Sequence, residues 1–139
     1  MKIKQLSIFL ENKKGRLYKA LNVLAENNVN IQALTIADMS DFGILRLIVP
    51  NPEKSQKILE KHDFIVKINE VVPVEMQNQP GGLTSILKIL DKYDINLEYL
   101  YAVTSHSDKA ILLLRTENLD ELISVLKKEN IPFFDIKNL

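Results

Sequence analysis

The chain has 139 residues, 46% of them hydrophobic and 26% charged, which suits one or two compact domains with a buried core. Because 18 basic residues balance 18 acidic ones and cysteine is absent, we expect no nucleic-acid or membrane partner, no disulfide and no thiolate metal site. The apolar runs are too short for a signal peptide or for the roughly 18 residues of a membrane span, which predicts a soluble cytoplasmic protein.

The first half of the chain predicts the order strand, helix, strand, strand, helix, strand. Alternating apolar residues predict the first strand, and leucines at helical spacing predict the helix that follows. Turn residues at 40–43 separate two further strand patterns and indicate a hairpin. Asn51, followed by proline, is typical of a helix N-cap. The predicted strands cover residues 2–10, 30–39, 44–49 and 64–68, and the second helix ends near residue 63.

The second half predicts the same order of elements. Leu83, Ile86, Leu87 and Leu90 form a helical stripe, and a hairpin turns at residues 105–108. Asn118, three residues before a glutamate, resembles a capping box. The predicted strands cover residues 71–76, 97–104, 110–115 and 133–136.

The two halves repeat each other at an offset of 66 residues, which aligns Gly15 with Gly81. This predicts two domains, residues 1–69 and 70–139, joined near Glu70 by a linker short enough to hold them together. The fold class is therefore α+β, with two tandem ferredoxin-like βαββαβ sandwiches whose helices cover one face of each antiparallel sheet. Identical pairs at this offset include Asn12 with Asn78, Leu17 with Leu83, Leu21 with Leu87, Leu24 with Leu90, and Asn30 with Asn96.

This fold hosts many activities, so the side chains must decide between them. A copper chaperone needs a cysteine pair, and an RNA-binding sheet needs aromatic residues where this chain has aliphatic ones. Neither His62 nor His106 has a nucleophile or a metal-binding partner visible in the sequence. We therefore expect no enzyme, no catalytic residue, no metal and no cofactor.

The repeated turn and helix resemble those of the ACT family of small-molecule-binding regulatory domains, over the whole chain as two copies. The family pattern has a strand, Asn or Asp, a Pro-Gly turn, a helical Leu, and an Asn-aliphatic start to the second strand. The first copy departs from it at Lys14, where proline is usual. The matching residues are Asn12, Gly15, Leu17, Asn30 and Ile31 in the first copy and Asn78, Pro80, Gly81, Leu83, Asn96 and Leu97 in the second.

A free amino acid carries a carboxylate and an ammonium on one carbon, so its site needs converging donors and acceptors. A helix N-terminus offers backbone N–H groups to the carboxylate, glycine allows close approach, and asparagine both donates and accepts. To the matching residues we add Arg16 and Gly82 as candidate ligand-binding residues. By resemblance, the ligand lies between two domains, which would pair Asn78 with Asn30, and Asn12 with Asn96.

Structural interpretations of the same residues stay open. The segment 80–82 could be only a strand-to-helix turn, and Asn30 and Asn96 could be only turn residues. Lys13, Lys14 and Arg16 could be solvated or could attract an acidic ligand. Leu17, Leu21 and Leu24 and their repeat partners are predicted to be core residues.

Two functions compete. The first is a non-catalytic regulatory protein that binds an amino acid and acts in trans on an enzyme or regulator of amino-acid metabolism. The second is an assembly module whose sheets pair edge to edge without a small molecule. Exposed sheet edges favour a homodimer in either case.

Overall fold

The computed structural model describes residues 1–37, 40–104 and 108–138. The chain divides into two compact units, which we call the N-terminal unit, Lys4–Asn69, and the C-terminal unit, Met1–Ile3 with Glu70–Leu139. Asp38 and Met39, at the end of the strand predicted over 30–39, and residues 105–107 of the second predicted hairpin turn lie outside the described residues.

The N-terminal unit has the strand order β2-β3-β1-β4, in which β3 pairs antiparallel with both β1 and β2. Helices α1 and α2 cover the face that carries Leu6, Ile8, Leu45 and Leu47, all fully buried in one cluster with Leu24. The elements are β1 (Ile3–Glu11), α1 (Arg16–Glu26), β2 (Ala33–Ala37), β3 (Phe42–Ile48), α2 (Pro52–Lys61) and the first part of β4 (Ile65–Gln77).

The C-terminal unit has the strand order β4-β6-β5, with both pairs antiparallel. Its core contains the fully buried Leu112, Leu114, Leu122 and Leu126. The elements are the remainder of β4, α3 (Gly82–Lys92), β5 (Leu97–Thr104), β6 (Lys109–Thr116), α4 (Leu119–Lys128) and a short 3-10 helix (Ile136–Asn138). The predicted α+β class and ferredoxin-like order of elements are confirmed.

Both predicted asparagine caps are confirmed. The Asn51 side-chain oxygen accepts a hydrogen bond from the Lys54 N–H at 3.2 Å, at the start of α2. The Asn118 side-chain oxygen accepts from the Glu121 N–H at 3.0 Å, at the start of α4. Each bond satisfies one N–H that the first helical turn cannot pair internally.

The strand predicted over residues 133–136 is wrong. Only Phe133 forms a bridge, with Val74, supported by a hydrogen bond from the Glu75 N–H to the Pro132 oxygen. Proline cannot donate to a strand ladder. The Asp135 carboxylate then accepts from the Lys137 N–H, which turns the chain into the 3-10 helix.

Two leucines predicted for the core are exposed. Leu17 is 39% exposed and Leu87 is 37% exposed, whereas Leu24 and Leu90 are buried. The buried stripe of α1 is centred on Ala20, Val23 and Leu24, so a leucine one turn earlier lies at the rim of the helix face.

Two predicted boundaries also differ. The strands predicted on either side of Glu70 are one continuous strand, β4. Phe42 and Gly43, predicted as turn residues, belong to β3, where they pair with Glu11 and Leu10 of β1.

Candidate functional site

A left-handed glycine precedes the first helix of each unit. Gly15 has φ 87° and Gly81 has φ 85°, and these are the N-cap residues of α1 and α3. An L-residue with a side chain rarely adopts this conformation. The sharp turn predicted at both glycines is therefore confirmed, and it presents the first-turn N–H groups of each helix at the end of the preceding strand.

Equivalent hydrogen bonds tie the two turns to the neighbouring hairpins. The Asn12 N–H donates to the Asp41 oxygen at 2.8 Å, and the Asn78 N–H donates to the Asp108 oxygen at 2.7 Å. The Asn12 side-chain amide also donates to the Ser40 oxygen at 3.1 Å. These contacts hold each turn against the hairpin that closes the same end of the sheet.

A cleft of about 290 Å³, which we call the N-terminal cleft, lies beside the start of α1. Of the predicted site residues, Asn12 and the exposed Leu17 line it. The sequence did not indicate Ile36, Ala37 and Gly43, which also line it. Gly43 was predicted as a turn residue, but it lies within β3, and a glycine inside a strand marks a close approach of backbone. A Cβ there would lie 3.3 Å from the Ala37 oxygen.

An ion pair flanks the N-terminal cleft. Lys13 Nζ lies 3.0 Å from a carboxylate oxygen of Glu11, and this hydrogen bond is the main reason that the pKa of Glu11 is below its usual range. The charge of Lys13 lowers this pKa further, and the charge of Arg16 contributes less. The basic residues of this turn are therefore partly neutralised within the unit.

Replacing Lys13 with methionine will raise the pKa of Glu11 towards its ordinary value, because both the hydrogen bond and the charge are lost. NMR titration of the glutamate side-chain carboxyl carbons measures this pKa. Lys14→Met is the matched control, and an equal rise in both variants would contradict the assignment. Since the folded pKa is lowered, the stabilisation from this pair is present above the unfolded pKa and is lost as pH falls through the folded pKa.

The C-terminal unit has a cleft of about 220 Å³, which we call the C-terminal cleft. Of the predicted site residues, Gly82 lines it. The sequence did not indicate its charged members, Glu75 and Lys109, whose side chains approach to 3.5 Å. Residues from three separate segments meet here, so no local motif could have indicated them. The other residues that line it include Met76, Gln79, Ser85, Ile86, Ile131 and Pro132.

Gly82 tolerates no side chain in this backbone. A Cβ at this position would lie 2.0 Å from the Gln77 oxygen, a backbone atom that cannot rotate away. Gly81, in contrast, has open space around its Cβ direction and is required for its positive φ. The two adjacent positions therefore require glycine for different reasons, position 82 for lack of space and position 81 for its positive φ.

The remaining predicted residues lie at other places in each unit. Asn30 and Asn96 are exposed just before β2 and β5, and Asn96 lines a separate acidic cleft of about 220 Å³. Asn12 and Asn78 contact the hairpins at the opposite ends of those strands, so neither unit brings its own two asparagines together. Pro80 is exposed in the turn, whereas Leu83, Leu97 and Ile31 pack partly against the cores.

Among residues 1–37, 40–104 and 108–138, every helix is too short or too polar to span a membrane. The same residues contain no group of three or more histidine, aspartate or glutamate side chains that could hold a metal ion.

Comparison with known proteins identifies relatives over the full length. A curated relative, the acetolactate synthase small subunit of Buchnera aphidicola subsp. Baizongia pistaciae, is 28% identical over 92% of this chain and 89% of its own length. The crystal structure of protein BT0572 from Bacteroides thetaiotaomicron is 42% identical, with a TM-score of 0.93 over 100% of this chain and 98% of that one.

A more distant structure shares the fold. The ligand-free regulatory subunit of aspartate kinase from Thermus thermophilus has a TM-score of 0.63 at 12% identity, covering 90% of this chain and 91% of that one. The model of the ACT domain pair matches residues 1–139. The chain therefore belongs to the ACT domain pair family.

Proposed function

We propose that this chain is a non-catalytic cytoplasmic regulator that binds a free amino acid and modulates an enzyme of amino-acid metabolism in trans. The observation that carries the proposal is the match of an ACT domain pair to residues 1–139. The relative named as a small subunit of acetolactate synthase supports a separate enzyme partner. We take residues 1–69 and 70–139 as the two domains.

The turn before each unit's first helix would supply the ligand's carboxylate contacts. Left-handed glycines present first-turn N–H groups there, and these are good donors to an anion. Because each unit separates its own asparagines, an amide from another unit or another copy would complete the site. We therefore keep the pairs Asn78 with Asn30 and Asn12 with Asn96 as the proposed arrangement. The full set also contains Gly15, Arg16, Leu17, Ile31, Pro80, Gly81, Gly82, Leu83 and Leu97.

A bound amino acid can regulate only through differential affinity. The ligand must bind one arrangement of the protein, or of its complex with the enzyme, more tightly than another. By linkage, the enzyme partner then changes the affinity for the amino acid by the same factor. This reciprocity is measurable without knowing the pathway.

The test is a thermal-shift screen of the purified chain against the twenty free amino acids, followed by calorimetry on each hit. We expect at least one amino acid to raise the melting temperature, and the double variant Asn30→Ala, Asn78→Ala to weaken its binding. Asn22→Ala, which removes a half-buried asparagine on α1 whose amide donates to Glu26, is the control. A flat screen would reject the ligand part of the proposal.

A second candidate is an assembly module without a ligand. The observation that favours it is the edge strand β2, where Leu34 is 45% exposed and Ile36 is 47% exposed. Such an edge can pair with a second copy. If it forms a homodimer, Leu34→Lys with Ile36→Lys will yield a monomer in sedimentation, whereas Ile65→Lys, at another exposed isoleucine, will not. Wild type that sediments as a monomer would reject this candidate.

A further inference from the structure

Two exposed aromatic rings lie on the sheet face of the N-terminal unit that is opposite the helices. Ile8 belongs to the core beneath the helices, so its neighbour in the strand, Phe9, points the other way. Phe42 shares the face of Phe9, because it pairs in register with Glu11. Phe9 is 43% exposed and Phe42 is 48% exposed, and their ring centres are 6.4 Å apart.

Two half-buried apolar residues adjoin the rings on the same face. Ile44 pairs in register with Phe9, and Ala37 pairs with Ile44. We call these four residues, Phe9, Ala37, Phe42 and Ile44, the open-face patch.

The C-terminal unit carries an ion pair at the same place. The strand registers establish the equivalence: Phe9 pairs with Ile44 and Glu11 with Phe42, and correspondingly Glu75 pairs with Ile111 and Gln77 with Lys109. Glu75 and Lys109 therefore take the places of the two rings, and their side chains approach to 3.5 Å. Because this fold accepts charges here, folding alone does not account for the aromatic residues of the N-terminal unit.

Pairing through the edge strand β2 would not cover the rings. The strand order is β2-β3-β1, so β1 is the third strand from this edge. Neighbouring strands are about 4.8 Å apart, which places Phe9 about 10 Å inside the edge. A molecule that covers Phe9 must therefore approach the face of the sheet.

The size of the open-face patch suits a small, reversible interface. A fully exposed aromatic side chain has about 200 Å² of surface, so the two rings expose about 180 Å² and the whole patch roughly 250 Å². Two such patches in contact would bury about 500 Å² of apolar surface, the apolar share of an interface of about 900 Å². This total is at the low end of specific interfaces. A polar surface of another protein would contribute no second apolar patch, which favours a second copy.

The charges near the open-face patch also permit contact between two copies. Glu11 lies beside Phe42 on this face, and Lys13 neutralises it at 3.0 Å. Arg46, further along β3 on the same face, is half-buried. Two copies can therefore meet without the like-charge repulsion that opposes self-association. Since the C-terminal unit has an ion pair in place of the rings, association stops at two copies and does not continue into a filament.

We infer that the open-face patch binds the same patch of a second copy, so that the chain forms a reversible homodimer through the sheet faces around Phe9 and Phe42. The contact is isologous, because one surface of each copy serves both partners. The inference goes beyond the proposed function, since it requires no ligand. A flat amino-acid screen would leave it standing, and a monomeric wild type would leave the ligand proposal standing.

Sedimentation velocity of the full chain, from about 1 to about 500 µM, tests the inference. We expect wild type to dimerise with a dissociation constant of about 10 µM, in keeping with the small interface. The double variant Phe9→Glu, Phe42→Lys introduces the ion pair that the C-terminal unit carries at this place. It will stay monomeric at every concentration, while its circular dichroism matches that of wild type.

Two controls separate this contact from other exposed apolar residues. Tyr18→Lys changes an aromatic residue on α1 that is 73% exposed, and it will leave dimerisation unchanged. The edge variant Leu34→Lys, Ile36→Lys will also remain dimeric. A dimer that is lost in the edge variant but kept in the double variant would overturn the inference in favour of edge pairing.

A milder variant keeps the test decisive if the double variant fails to fold. Phe42→Gln will raise the dissociation constant about thirtyfold or more, because a twofold contact loses the ring from both copies. Unchanged dimerisation in Phe42→Gln would overturn the inference, and so would a wild type that stays monomeric over the whole concentration range.

Discussion

Replacing Leu24 with alanine will lower the free energy of unfolding by about 3 kcal/mol, because a fully buried leucine is removed from a packed core. Leu24 belongs to the same cluster as Leu6, Ile8 and Leu45, so the cavity cannot be filled by solvent or by a mobile side chain. Urea denaturation followed by circular dichroism measures the change.

Leu17→Ala provides the matched comparison on the same helix. Since Leu17 is 39% exposed, its truncation will cost about 1 kcal/mol or less. Equal losses in the two variants would contradict the burial difference between these leucines. If Leu17 contacts a ligand in the N-terminal cleft, its truncation will instead change affinity without changing stability.

Gly82→Ala will lower the free energy of unfolding by about 3 kcal/mol, at the upper end of the usual cost of overpacking. The added methyl group would lie 2.0 Å from the Gln77 oxygen, and relief requires that the end of β4 or the start of α3 move. The same movement would deform the C-terminal cleft, which Gly82 lines.

Gly81→Ala separates steric conflict from backbone strain. Its Cβ meets nothing within 4 Å, so the cost comes only from holding alanine at φ 85°. That strain is about 1 to 2 kcal/mol. Thermal and urea unfolding of both variants will rank Gly82→Ala as the more destabilised, and the reverse order would show that the turn relaxes around residue 82.

Local chemistry made much of the fold predictable. The caps at Asn51 and Asn118 and the turns at Gly15 and Gly81 depend on residues within four positions, and the periodicity of each element extends over a similar distance. The order of strands follows once two such halves are recognised. The cause of the wrong strand prediction at residues 133–136 is also local, since Pro132 cannot donate a hydrogen bond to the ladder.

The clefts were less predictable because they depend on contacts between distant segments. Ile36 reaches the N-terminal cleft through its register with Leu45, and Glu75 meets Lys109 through the pairing of β4 with β6. Apolar periodicity identified the face of α1 that contains Leu17, but it did not show how far along the helix that face is buried. Gly82 was predicted as a glycine for close approach to a ligand, but the close approach that the structure shows is to the Gln77 oxygen of its own unit.

Strand β4 runs without a break from one unit into the other. Val66 belongs to the core of the N-terminal unit, and Val72 and Val74 belong to that of the C-terminal unit. A unit produced alone must therefore keep its own part of this strand, because a cut before Val66 or after Val72 would remove a buried residue from one of the cores. Natural domain boundaries usually lie in exposed linkers that few contacts cross, whereas the boundary between these repeats lies within a strand.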